Sequence, residues 1–282
     1  MSDDIIKTSI DISGEKTIHW KQDISYGDYL SLDQLLSSQN IRSDSHDEMM
    51  FIIIHQASEL WMKLCIHELS SAMEKIKSDD LGPAMKMVAR IARIQEQLIH
   101  SWNILSTMTP KDYMSFRGSL GQSSGFQSFQ YRIIEFSLGN KNAAMIKAHE
   151  DHPERYIAVK AALDNPSLYD LTLQLLARRG FNIPKSHTQR DWSKPYQASD
   201  EVERAWSEVY RQGDSHWDLY EWAEKLVDLE HRFQTWRFSH MKTVERIIGY
   251  RRGTGGTAGV HYLKKALDLR FFPELWNVRT AL

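Results

Sequence analysis

One helix of this chain, some 50 Å long at the usual rise per residue, carries a histidine on its apolar stripe and runs straight into a glycine-rich loop. From about His216 to Tyr250, the residues Leu226, Leu229, Phe233, Trp236, His240, Val244 and Ile247 recur at steps of three and four, which puts them on one face of a helix. Arg251-Arg252-Gly253-Thr254-Gly255-Gly256-Thr257-Ala258-Gly259 follows. A stripe of that length is stable only when other helices cover it. Nearly every other long segment has helical period and none alternates as a strand does, so the expectation is an all-α, multi-helix bundle.

Helices are predicted over Asp28 to Ser37, His46 to Lys77, Pro83 to Ser106, Phe126 to Leu138, Glu154 to Leu163, Ser167 to Arg178, Ser199 to Arg211 and Val260 to Leu269, with Phe272 to Trp276 docking the end. Gly118 to Gly125 reads as a loop, and Pro184 to Pro195 as the loosest stretch. Without repeats or low-complexity linkers, residues 1–282 read as one helical domain with an N-terminal arm over about 1–40 and a small helical insertion over about 140–200.

Charge is balanced, 35 Lys+Arg against 37 Asp+Glu, so nothing global recruits nucleic acid or an anionic membrane. The longest unbroken apolar run, Met49 to Ile54, is far below the roughly 20 residues of a membrane span. Met1-Ser2-Asp3-Asp4 lacks the basic-then-apolar pattern of a secretory signal, and Cys65 is the only cysteine. The expectation is a soluble, cytoplasmic protein whose function resides in local sites.

Two histidines lie on apolar helix faces. His240 is either a satisfied core histidine or a metal ligand; His55, within Phe51-Ile52-Ile53-Ile54-His55-Gln56, poses the same choice. On facing helices the pair could flank a flat haem, one as iron ligand and one as distal hydrogen-bonding group. Gly253 to Ala258 fits the letters of a dinucleotide fingerprint, but a helix precedes it where that motif needs a strand. What survives is either a helix C-cap with a permissive turn or a flexible loop whose backbone donors, beside Arg251 and Arg252, suit a carboxylate. Arg117, among Tyr113 and Phe116, is either a solvated charge or a bidentate carboxylate partner, and Ser123 and Ser124 are turn residues or hydroxyl donors. No Glu-x-x-His pair for a di-iron bundle and no His-x-x-x-His zinc pair occurs; His149 and His152 read as a surface segment.

Tyr26-Gly27-Asp28-Tyr29-Leu30, His46-Asp47-Glu48, Phe51 to Gln56 with Glu59-Leu60-Trp61, Ser124 to Ser128, Trp236-Arg237 with His240, and Gly253 to Gly256 together resemble the tryptophan 2,3-dioxygenases from about Tyr26 to Arg279, most thinly between 140 and 200. The resemblance implies a haem b enzyme, ferrous when active, that uses O2 to open the indole C2–C3 bond of L-tryptophan. The product is N-formyl-L-kynurenine, in the first step of tryptophan catabolism through kynurenine.

By that resemblance His240 is the axial iron ligand and His55 faces the indole N–H as the catalytic histidine. Arg117 pairs with the substrate carboxylate, and Thr254 holds the ammonium and carboxylate end. Phe51, Ile52, Ile53, Ile54, Tyr113 and Ser124 line the substrate site. The family is a homotetramer whose N-terminal segment reaches a neighbour's site, which would give Tyr26 and Tyr29 their role. Where the family loop often continues with two serines, this chain has Thr257-Ala258, so any hydroxyl contact at 258 is absent. The alternative is a non-catalytic haem-based O2 carrier or sensor, which needs neither Arg117 nor a substrate loop.

Overall fold

The computed structural model describes residues 24–282, which among themselves contain helices and turns but no strand. In chain order the α-helices are α1 (Tyr26–Leu30), α2 (Leu32–Leu36), α3 (His46–Lys77), α4 (Leu81–Leu105), α5 (Pro110–Phe116), α6 (Phe129–Leu138), α7 (Pro153–Asp164), α8 (Leu168–Arg178), α9 (Lys185–Thr188), α10 (Asp200–Arg211), α11 (Trp217–Ile248), α12 (Val260–Ala266) and α13 (Pro273–Ala281). The chain divides into two units, Met1–Asn40 and Ile41–Leu282. Of the expected N-terminal arm, residues 1–23 lie outside the described residues. The rest is α1, with Ser25 and Asp28 forming a capping box, followed by α2.

In the larger unit the long helices α3, α4 and α11 form the frame, and α4 packs along both of the others. Their apolar faces build one large core from Met62, Cys65, Leu69 and Ile76 on α3, Val88, Ile91 and Leu98 on α4, and Trp222, Leu226, Leu229 and Phe233 on α11. A smaller cluster of Ile54, Leu105, Met108, Phe116 and Ile247 closes the far end of the same three helices. By length and composition alone α3 could cross a membrane, its best 18-residue window reaching a mean hydropathy of 1.3. Here it packs on α4, α6 and α8.

Buried charges such as Glu135 and Glu230 are ion-paired or hydrogen-bonded, as their desolvation requires. Glu135 on α6 accepts from Arg237 on α11 (Nη2 to Oε1, 2.8 Å), from the Tyr131 hydroxyl (2.9 Å) and from Asn140 (3.1 Å), and is also bridged by Arg132. Arg237 donates as well to the carbonyls of Ala266 and Leu269, where α12 ends, so one side chain ties α6, α11 and the segment after the glycine loop. Glu230 receives the Phe271 and Phe272 amides and the Trp276 indole N–H, which fixes the approach to α13.

Several expectations need correction. The stretch 184–195 is mostly non-helical but pinned, because Arg190 pairs with the fully buried Asp170 at 2.8 Å and lies over the rings of Trp192 and Tyr196. His149 is buried, not on the surface; only His152 is exposed. Helix α5 lies in a segment not predicted as helix. It is seven residues long, too short for an amphipathic signature, and is started by Thr109, whose hydroxyl accepts from the Asp112 amide. Phe126 to Ser128 form a 3-10 turn and cap, so α6 starts only at Phe129.

Candidate active site

The apolar stripe of α11 is buried at Leu226, Leu229, Phe233 and Ile247 but opens at Trp236, His240 and Val244. His55 on α3 is open to a similar degree. Both imidazoles are nonetheless deeply enclosed by protein. Burial, with His55 as a neighbouring titratable group, pushes the His240 imidazole down to about 4, and burial lowers His55 too. The two histidines are therefore neutral rings, near enough for one to influence the titration of the other.

Neither ring nitrogen of His240 has a hydrogen-bond partner among the described residues, which leaves a lone pair for a metal. The ring is held by stacking: Trp102 of α4 lies 4.6 Å away at 14°, and Trp236 lies 5.6 Å away. The indole N–H of Trp102 is buried without a partner among the described residues. A neutral, unpartnered histidine in a gap of an apolar stripe, beside an orphaned N–H, fits a flat apolar group with a metal at its centre, and haem is such a group. Among the described residues no cluster of three or more His, Cys, Asp or Glu could hold a bare metal ion.

On α3, Phe51 and His55 are one helical turn apart and share a face, their ring centroids 4.1 Å apart. His55 Nδ1 donates to the Phe51 carbonyl at 2.7 Å; because a carbonyl only accepts, the proton is on Nδ1 and Nε2 is left as a bare acceptor. Ile54 turns into the small core cluster, while Ile53 is exposed and Ile52 half-buried on the flank of α3. Tyr113 and Phe116 of α5 extend the ring cluster from Phe51, and Tyr113 leads to Arg117 at the end of that helix.

Arg117 and the glycine loop meet here although 135 residues separate them. Arg117 Nη2 donates to the Arg252 carbonyl at 2.7 Å, which leaves Nε and Nη1 for another acceptor. Thr254 Oγ1 donates to the Ser123 carbonyl at 2.5 Å, so its lone pairs are free to accept. Gly255 packs so closely on Ser124 that a Cβ would lie 2.6 Å from the serine Cβ. Ser124 itself caps the turn Gly125–Gln127. The two loops are thus closed on each other, with a guanidinium and a hydroxyl acceptor at their junction. Tyr26 and Tyr29 lie on α1 of the smaller unit.

The sequence profile of the family described as tryptophan 2,3-dioxygenase matches residues 13–164 and 207–282. The chain belongs to this family. Tryptophan 2,3-dioxygenase 1 of Ralstonia nicotianae is 57% identical over 263 residues, 93% of this chain and 90% of that protein. The tryptophan 2,3-dioxygenase of Bacillus cereus is 58% identical over 270 residues, 95% of this chain and 97% of its own. That of Polaromonas sp. is 56% identical over 265 residues, 94% and 90% of the two chains. The profile of the tryptophan 2,3-dioxygenases breaks off over 165–206, within α8 to α10 and their connections, and spans every residue of the site.

Trp102 was not among the residues singled out from sequence. Its apolar helix carries no local sign that this indole, and not another, reaches His240.

Proposed function

We propose that the chain is a tryptophan 2,3-dioxygenase that oxidises L-tryptophan with O2 to N-formyl-L-kynurenine, His240 holding a haem b iron. When bound, haem supplies the oxygen chemistry, and the protein supplies position and charge complementarity. Arg117 offers its remaining donors to the substrate carboxylate, and Thr254, its own proton committed to Ser123, accepts from the ammonium. His55 Nε2 accepts the indole N–H, and Phe51 and Tyr113 wall the ring. An indole N–H is too weak an acid for a neutral imidazole to remove easily, so His55 orients and does not deprotonate. Anchoring both ends of the amino acid holds the indole in one attitude, which is what an oriented bimolecular step requires.

The observation that carries this reading is the junction of Arg117, Thr254 and Ser124, linked to His55 through the Phe51 and Tyr113 rings, for which an O2 carrier or sensor has no use. We also propose a cytoplasmic homotetramer in which Tyr26 and Tyr29 contribute to a neighbouring site. His240→Ala should abolish the haem Soret band and the formation of N-formylkynurenine under reducing conditions. An unchanged spectrum with full turnover would sink the proposal; haem binding without any tryptophan oxidation would favour the carrier.

A further inference from the structure

On the side of α11 away from His240, the groove between α11 and α12 holds a cavity of about 560 Å³. That is within the on-the-order-of 300–1,000 Å³ range of small-molecule sites. Its floor is apolar, from Met241, Val260 and Leu267, and its walls are the rings of Phe238, Tyr250 and His261. In the single chain Phe238 and Tyr250 are 50% and 68% exposed, a large apolar area of the kind that marks binding surfaces.

The charges are unequal. Glu245 is taken by Lys242 at 2.7 Å and by the Tyr250 hydroxyl at 3.1 Å. Lys264, on the opposite wall, acts on Glu245 only at longer range and has no ion pair within bonding distance among the described residues. Two ammoniums against one carboxylate leave the groove with a net positive charge beside exposed rings.

The groove also sits at the root of the glycine loop. Tyr250 directly follows Gly249 and His261 lies two residues after Gly259, and the two rings pack at 5.5 Å across the loop's base.

We propose that this groove is a second binding site, one for a small aromatic carboxylate whose ring packs with Phe238 and Tyr250 and whose carboxylate pairs with Lys264. Offset or edge packing on the two exposed rings supplies the apolar contact, and the unbalanced ammonium selects the anion.

The test is 19F NMR titration of the full-length protein with 4-fluorophenylacetate, a probe with one ring and one carboxylate. Saturable binding that weakens about tenfold in Lys264→Gln and in Phe238→Ala, with tryptophan turnover retained in both, is the expected result. Arg117→Ala should leave this binding in place. Absence of saturable binding overturns the proposal, as does binding lost in Arg117→Ala but unaltered in both groove variants. It is equally overturned if the probe finds no site in the wild type while Phe238→Asp lowers the sedimentation coefficient, because the groove is then filled by a second copy of the chain.

Discussion

His55 is locked by Phe51: the Nδ1–H of one donates to the backbone carbonyl of the other at 2.7 Å, one helical turn away. The hydrogen bond settles which nitrogen faces the site and makes it an acceptor. Protonation would turn that acceptor into a donor. Burial holds the His55 pKa below its ordinary 6.5, so the useful neutral form persists through neutral pH and is lost only as pH falls through the lowered value. The acid limb of kcat/KM for tryptophan should therefore lie below pH 6.5; a limb above it would contradict this role.

Arg117 serves two acceptors, the Arg252 carbonyl and the substrate carboxylate. Arg117→Ala removes a charge-assisted contact of about 1.5–3 kcal/mol, or roughly 10- to 150-fold in kcat/KM, expressed mainly as a raised KM. Arg117→Lys should recover little, since a single ammonium cannot reproduce a fork that reaches two partners. Steady-state kinetics on both variants separates KM from kcat, and a normal KM in Arg117→Ala would refute the assignment.

Gly255→Ala should hold the two loops apart, because its new Cβ would sit 2.6 Å from Ser124 Cβ and 2.9 Å from its hydroxyl. Weaker tryptophan binding is expected, with haem content unchanged. Removing the obstacle by Ser124→Gly in the same chain should restore part of the loss, a coupling a double-mutant cycle can measure. Strict additivity of the two changes would show that the contact does not matter.

Glu135→Gln should destabilise far more than Arg237→Met. The first leaves Arg132 and Arg237 buried without a counter-charge, about 3–5 kcal/mol by analogy with other broken buried pairs, whereas the second leaves Glu135 still paired with Arg132. Urea unfolding of the two variants gives the order directly.

Lys141 is buried and donates to the carbonyls of Ala162, Leu163 and Asn165 at 2.6, 3.1 and 2.7 Å. Burial lowers its pKa from 10.5 to about 8. Between those values the folded chain binds fewer protons than the unfolded one, so this group makes stability rise with pH from about 8 to 10.5 and its full penalty applies below. The slope, up to about 1 kcal/mol per pH unit, should be absent in Lys141→Met. Denaturant midpoints across that window provide the measurement.

The long helices were legible because their period repeats over many turns: α3 spans His46–Lys77 as expected, and α11 differs from its expected span only at the ends. The pairing of Arg117 with the glycine loop was legible only through the family resemblance, since no local pattern joins residues so far apart in sequence. Trp102 stayed hidden for the same reason: stacking on His240 depends on how α4 lies against α11. Ile53 and Ile54 show the converse limit. They are neighbours of His55 in sequence, yet about 100° of rotation per residue sends one outward and the other into the core.

Gly249 and Gly259, at the two ends of the loop, have φ of 60° and 57° with ψ of −139° and −128°, a region open to glycine almost alone. A Cβ at 259 would also strike the Arg251 carbonyl at 2.5 Å. Every single-base change of a glycine codon that alters the amino acid and does not stop translation installs a residue with a Cβ, so neither end has a neutral neighbour in sequence space. Between them Gly255 is held as tightly by its contact with Ser124, whereas exposed Ala258 carries no such constraint. Substitution in this loop is thus confined to positions such as 258, where affinity can be retuned without the loop losing its place.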